Sequence, residues 1–185
     1  MGEMSAKISS YETAEIRGPK LAFNLTPENC GRMLKRSKRL LVVVGGDALK
    51  MKIDDGVDVP EVAVRLARSL GGTIVASPGV FKAFQGVSAV KLINMGLEDA
   101  VNRLKDESWK GFDGMGGYDM AVFIGGLYYF QSMMLSTLKH FAPNQKTISL
   151  DRFYHPNATF SLENLTPDKW KAGLDAMLQL LEEKK

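Results

Sequence analysis

Arg39-Leu40-Leu41-Val42-Val43-Val44-Gly45-Gly46 is the stretch on which the fold turns. Five consecutive branched apolar residues leave no polar position to face water, so the strand they form must be covered on both faces, as strands inside a parallel sheet are. Met120-Ala121-Val122-Phe123-Ile124-Gly125-Gly126 repeats the same pattern, down to the closing pair of glycines. Thr73-Ile74-Val75-Ala76-Ser77 predicts a further strand broken by Pro78-Gly79, and Lys146-Thr147-Ile148-Ser149-Leu150-Asp151 another. Val90-Lys91-Leu92-Ile93 is a weaker strand candidate.

Between these strands apolar residues no longer run continuously but recur at i, i+3 and i+4. Thr26-Pro27-Glu28 reads as an N-cap, a proline in the first turn and an acid at the positive dipole end, which predicts a helix over about 26–37. Val62, Ala63, Leu66, Ala67 and Leu70 form a helical stripe that stops at Gly71-Gly72, and Leu97, Ala100, Val101 and Leu104 form another. Phe130, Met133, Met134, Thr137, Leu138 and Phe141 recur at helical spacing and read as a core-facing stripe ending before Pro143. Thr166-Pro167-Asp168 opens a closing helix along Trp170, Leu174, Met177, Leu178 and Leu181. Alternating buried strands and amphipathic helices predict an α/β fold, a three-layer αβα sandwich with a mainly parallel sheet. Residues 22–185 read as a single α/β domain and residues 1–21, with isolated apolar positions among Ser, Glu, Lys and Gly, as an N-terminal extension.

Composition narrows the functional classes. The chain has 185 residues, 45% of them hydrophobic, with 24 Lys and Arg against 21 Asp and Glu. That apolar content at a net charge of +3 excludes disorder for most of the length. A basic excess so small is not the footprint of a nucleic-acid binder, and the one dense run, Lys35, Arg36, Lys38 and Arg39, reads as solvated helix-end charge. No apolar run is long enough for a membrane span and no secretory h-region opens the chain, so a cytoplasmic protein is expected. A single cysteine, Cys30, provides neither a disulfide nor the ligand set of a zinc or iron–sulfur site, so no metal centre is expected in this chain.

No catalytic motif is present. The Gly-rich segment Gly114-Met115-Gly116-Gly117 precedes a strand instead of following one, the wrong place for a dinucleotide fingerprint. His140, near a helix end, suits the dipole there, and His155 reads as an exposed loop imidazole without a nucleophile or carboxylate at a recognisable spacing. Asp54, Asp55 and Asp58 lack the spacing of a calcium loop and read as loop and cap charges. In a parallel sheet a ligand binds outside the carboxyl ends of the strands, where strand order switches. The candidate binding residues are therefore Gly45, Gly46, Ser77, Gly79, Gly125, Gly126, Asp151 and Arg152. Glycines there either let a ligand approach the main chain or merely permit tight turns. Arg152 could meet a pyrophosphate in bidentate fashion or form a plain salt bridge.

Gly111-Phe112-Asp113-Gly114-Met115-Gly116-Gly117-Tyr118-Asp119, then Phe123-Ile124-Gly125-Gly126 with Tyr128-Tyr129, then Lys146 to Arg152 with Asn157-Ala158-Thr159, carry a family resemblance. In their order and spacing the chain resembles the epsilon subunit of the archaeal acetyl-CoA decarbonylase/synthase complex, from its carbon monoxide dehydrogenase component. Met115 stands where that pattern has Asn between the loop glycines, and Gly126 where it has His. The resemblance implies a fold similar to the NAD/FAD-binding domain of thiamine-diphosphate enzymes. It also implies a heterotetramer of two epsilon chains with two large alpha subunits, the nickel–iron and iron–sulfur centres lying in alpha, where CO and water give CO2, two electrons and two protons. Epsilon is then an accessory subunit that stabilises alpha or assists electron transfer to FAD.

Three readings follow. The first is a non-catalytic partner subunit with no tightly bound cofactor, FAD being the candidate for a weak one. The alternative is a free-standing FAD or NAD dinucleotide-binding module, and a stand-alone deacylase ranks behind both for want of a catalytic His and zinc thiolates. Tyr128, Tyr129 and Phe130, or the Gly-rich loop with Phe112 and Met115, are expected to contact the large subunit, unless the tyrosines pack on a neighbouring loop.

Overall fold

The computed structural model describes residues 21–183; the extension expected over 1–21 lies, but for its last residue, outside them, as do the final two residues of the charged tail. The strands are β1 (Phe23–Asn24), β2 (Leu40–Val44), β3 (Thr73–Ala76), β4 (Lys91–Asn94), β5 (Met120–Ile124), β6 (Lys146–Ser149) and β7 (Phe160–Ser161). The helices are α1 (Pro27–Leu34), α2 (Ala48–Asp54), α3 (Val59–Leu70), α4 (Pro78–Phe81), α5 (Leu97–Lys105), α6 (Tyr128–Phe141) and α7 (Pro167–Glu182). All seven strands join one sheet in the order β1-β7-β6-β5-β2-β3-β4, and every pairing is parallel. The expected α/β class and parallel sheet are what the chain forms.

Strand β2 sits at the centre, with Val42 opposite Ile74 of β3 on one side and Val122 of β5 on the other. Its five residues are all buried. Successive side chains alternate between two cores. Leu40, Val42 and Val44 join Ile74, Val122 and the helices α1, α3 and α7, whereas Leu41 and Val43 join Val75, Phe123 and the helices α5 and α6. Thr26 caps α1 and Asp58 caps α3, each accepting a main-chain N–H three residues on. Trp170 of α7 is fully buried and its indole N–H donates to Leu150 O at 2.8 Å, fastening the last helix to the end of β6.

Two elements differ from the sequence reading. Helix α2 was not expected, because only Ala48 of it is buried while Leu49 and Ile53 face outward, which leaves no apolar period to detect. Helix α6 buries only part of the expected stripe: Leu138 is buried and Phe130 and Met134 pack half-buried on the core, but Met133 and Phe141 are 57% and 68% exposed, and Gln131 and Leu135, outside the stripe, point inward. Hydrophobicity marked the stripe, but a hydrogen bond to buried Gln131 sets the rotation of the helix.

Arg39 is also more than a solvated charge. Its guanidinium donates to Asp113 Oδ1 at 2.7 Å, Gly116 O at 3.0 Å and Gly117 O at 3.1 Å, and lies over the Tyr118 ring. The main-chain N–H groups of Lys38 and Arg39 both donate to the Asp119 carboxylate at 2.9 Å. Gly111 has φ +74°, and a Cβ there would fall 2.5 Å from Gly116 O, so glycine is required. The Gly-rich loop is thus a closed structure at the amino ends of β2 and β5.

The hydrogen bond from Arg39 holds the Asp113 carboxyl down at about 2, below its ordinary 3.8. Its contribution to loop order is therefore complete above about pH 4 and is lost as pH falls towards 2. The Met115 amide, which donates to Asp113 Oδ1, should exchange faster with solvent across that window, and Asp113→Asn should abolish the step. Burial pushes the Cys30 thiol up to about 12. A thiol reagent at pH 8 should leave the native chain unmodified and titrate one thiol after denaturation.

Candidate functional site

The chain leaves β2 through α2 and α3 to reach β3 on one side, and leaves β5 through α6 to reach β6 on the other. Six strands therefore run in the order β4-β3-β2-β5-β6-β7, the 3-2-1-4-5-6 order of doubly wound sheets, and the switch point lies between the carboxyl ends of β2 and β5. A cleft of about 410 Å³ opens there. Gly45, Gly46, Ser77 and Gly126 line it, together with Asp47, Gly96 and Phe130, so four of the eight candidate residues meet at one place.

The two glycine pairs do different work. A Cβ on Gly45 would stand 2.3 Å from Gly126 Cα, so the β2 and β5 turns touch main chain to main chain. Gly45 N–H donates to Ile124 O and Asp47 N–H to Gly125 O, both at 2.9 Å. Gly125 has φ +75°, and its missing side chain makes room for Ala48. Three of the four glycines are explained by packing: Gly45 against Gly126, Gly125 against Ala48 and Gly126 against the Gln131 side chain. Gly46 is not, since nothing lies within 4 Å of where its side chain would be.

Asp151, 3% exposed, fastens the contact from below. Its Oδ1 accepts the Gly125 N–H at 2.7 Å and its Oδ2 accepts the Gln131 amide, tying the β5 turn and the first turns of α6 to the end of β6. His155 is 1% exposed, not the surface imidazole that its loop position implied. Its Nε2 lies 3.4 Å from Asp151 Oδ2, its ring stacks on Tyr128 at 4.4 Å, and its main-chain N–H donates to Ser161 Oγ. The carboxylate partner of this imidazole is four residues away, but only the burial of the 150–159 loop reveals it. Gln131 carried no sequence signal at all.

The remaining candidates are elsewhere. Arg152 turns outward, with Nε 3.0 Å from Asp55 Oδ1 and the guanidinium over the Phe153 ring, so it forms the plain salt bridge. Gly79 lies exposed in α4, away from the cleft walls. His140, exposed in the last turn of α6, stands where the dipole favours it. Tyr128 is half-buried and donates to Tyr154 O, while Tyr129 beside it is 78% exposed. The Gly-rich loop is at the opposite end of β5 from these tyrosines, because it enters the strand that they leave.

Pyrophosphate recognition needs a glycine cradle at a helix N-terminus and is aided by a cation. Here the Gly45, Gly125 and Gly126 positions are filled by neighbouring chain, and the charged residues on the cleft wall are Asp47, Glu98 and Asp99. Lys50 is the cation paired with Asp47, at 2.7 Å. The residues present therefore do not fit the pyrophosphate of FAD or NAD. What the cleft offers is an apolar side at Leu127 and Phe130 facing carboxylates.

The family model of the CO dehydrogenase beta subunit/acetyl-CoA synthase epsilon subunit matches residues 4–178. The chain belongs to this family. It is 34% identical over 94% of its length to the acetyl-CoA decarbonylase/synthase complex subunit epsilon of Methanothermobacter thermautotrophicus, covering 96% of that protein. The corresponding subunit of Methanothrix soehngenii is also 34% identical, with 93% and 90% covered, and subunit epsilon 1 of Archaeoglobus fulgidus is 38% identical, with 86% and 83% covered. The epsilon-family resemblance of the Gly111–Thr159 stretch thus extends over nearly the whole chain.

Asp151→Ala removes two hydrogen bonds to a buried carboxylate and leaves the Gly125 N–H without its acceptor. The expected loss is about 3 kcal/mol in urea unfolding. Arg152→Ala, whose salt bridge is partly exposed, should cost less than about 1 kcal/mol.

Proposed function

We propose that this chain is the epsilon subunit of an acetyl-CoA decarbonylase/synthase complex, an accessory subunit that stabilises the large metal-bearing alpha subunit. The observation that carries the reading is end-to-end similarity to proteins named as that subunit, with no large insertion or missing half. The chemistry of the chain supports it. One cysteine, fully buried and with its thiol pushed up to about 12, offers no thiolate to a metal cluster, so CO oxidation belongs to the partner. Two epsilon chains bind two alpha subunits in the cytoplasm, and no cofactor is held tightly by epsilon. Any help it gives to electron transfer towards FAD comes from what it adds to the alpha surface.

A second reading keeps the cleft as a ligand site. Gly46, which packing does not require, and Gly96 on the facing wall leave main chain accessible from both sides. Under that reading the chain is a dinucleotide-binding module, and titration calorimetry with FAD should give a submicromolar constant. The acidic wall favours the weak or absent binding that the first reading expects.

Reconstitution tests the proposal. Mixed anaerobically with the alpha subunit, the chain should co-elute at two copies of each and lengthen the half-life of CO oxidation on heating, while the initial rate with a dye acceptor stays within about twofold. An unchanged half-life in a mixture that does not co-elute would defeat it.

A further inference from the structure

The one thiol of this chain is out of reach of an oxidant. Cys30 is fully buried and its pKa is pushed up to about 12, so a two-electron oxidant meets no thiolate there. Thioethers are therefore the sulfur that an oxidant reaches. Among the described residues, Met120 and Met177 are buried, and Met33, Met51, Met95 and Met134 are half-buried against one of the two cores. Met115 and Met133 belong to neither core and are 77% and 57% exposed.

Their settings differ. Met133 lies on α6, where a long side chain leans back over the preceding turn, and that turn carries Tyr129 and half-buried Phe130. Met115 has no such cover, because Gly114, Gly116 and Gly117 around it have no side chains, and nothing lies within 4 Å of where theirs would stand. The thioether projects from open main chain at the amino ends of β2 and β5.

The loop does not depend on that side chain. The Met115 main-chain N–H donates to Asp113 Oδ1 at 3.0 Å, Arg39 donates to the same oxygen, and Arg39 also holds Gly116 O and Gly117 O. None of these contacts uses the thioether. A sulfoxide is more polar than the thioether it replaces, a change that disrupts a packed core but is solvated at an exposed position. At Met120 or Met177 the added oxygen would enter a core as an unpaired acceptor.

We propose that Met115 is the oxidation site of this chain, a thioether that hydrogen peroxide converts to sulfoxide first and without disturbing the fold. In that step one peroxide oxygen bonds to the Met115 sulfur, the O–O bond breaks, the sulfur gives up two electrons and the other oxygen leaves as water. Two electrons from the thiols of a methionine sulfoxide reductase restore the thioether. The chain thus carries a renewable sink for peroxide at a place where repeated oxidation costs no stability. The inference does not depend on the subunit reading above.

Peptide masses of full-length chain after limited hydrogen peroxide at neutral pH test it. Chymotryptic cuts after Tyr11, Phe112, Tyr118, Phe123 and Phe130 place Met115, Met120 and the Met133-Met134 pair in separate peptides, with Met1 and Met4 in another. Within residues 33–177, Met133 should oxidise about threefold more slowly than Met115, and Met120 and Met177 at least about thirtyfold more slowly. Chain oxidised at Met115 should keep its thermal midpoint within about 1 °C of untreated chain, and a sulfoxide reductase should reverse the modification. Met115→Leu, a swap of similar volume at an exposed position, should remove the fastest phase from residues 33–177 and leave the slower ones unchanged. Oxidation of Met133 or of any half-buried methionine before Met115 overturns the inference. So does a midpoint lowered by several degrees when Met115 alone is oxidised, or a fastest phase that persists in Met115→Leu.

Discussion

Where β2 and β5 diverge, two strand-to-helix turns meet with no side chain between them, and a buried carboxylate holds the meeting in place. Gly45 against Gly126 sets how closely the two halves of the sheet approach at their carboxyl ends. Asp151 then couples that contact to β6 through Gly125 and to α6 through Gln131. Three strands and two helices are thus located by one carboxylate and three missing side chains. The opposite ends of the same two strands are held analogously, with Asp119 taking the main-chain N–H groups that precede β2 and Arg39 gathering the Gly-rich loop that precedes β5. The central pair of strands is therefore bound at its amino ends by charge-assisted hydrogen bonds across about 80 residues of chain, and at its carboxyl ends by main-chain contact that Asp151 braces through Gly125.

Much of this frame is legible without coordinates because it obeys a single rule. A strand covered on both faces has no room for a polar residue, so Leu40–Val44 and Met120–Ile124 announce themselves. Capped helix starts at Thr26 and Asp58 are equally local. What fails to show is whatever depends on a partner distant in sequence. Gln131 is drawn inward by Asp151, which turns α6 so that Met133 and Phe141 face out, and no period in 130–141 could report that. His155 is buried by the crossover into β7, a loop with no apolar signature of its own. At the switch point the glycines were visible, but whether a glycine admits a ligand or a neighbouring turn is decided by what stands opposite, and at Gly45, Gly125 and Gly126 it is chain.

The consequence for function is that strand order and ligand chemistry have separated. The doubly wound order places a cleft at the switch point whatever the sequence, since diverging connections leave a gap there. Binding a pyrophosphate in that gap needs a glycine turn held open in front of a helix and some positive charge, and this chain has instead closed the turns on each other and put Asp47, Glu98 and Asp99 on the wall. The glycines that would serve a nucleotide are already used to join the halves of the sheet. The same residues cannot do both, because opening the cradle would part the contact that Asp151 maintains.

A protein arranged this way concentrates its unusual chemistry on the outside. Its single thiol is sequestered and its buried acid is occupied with structural hydrogen bonds, while among the described residues exposed aromatic and Met side chains stand on α6. Leaving a Tyr, a Met and a Phe in water on one helix favours self-association, and that cost is tolerable where the surface is covered once a complex assembles. The rigid turn contact supports that use. Since α6 is anchored at its first turns by Gln131 and along its length by Leu135 and Leu138, its outer face is presented at a fixed angle to the sheet, and a partner that binds it loses little in ordering the helix.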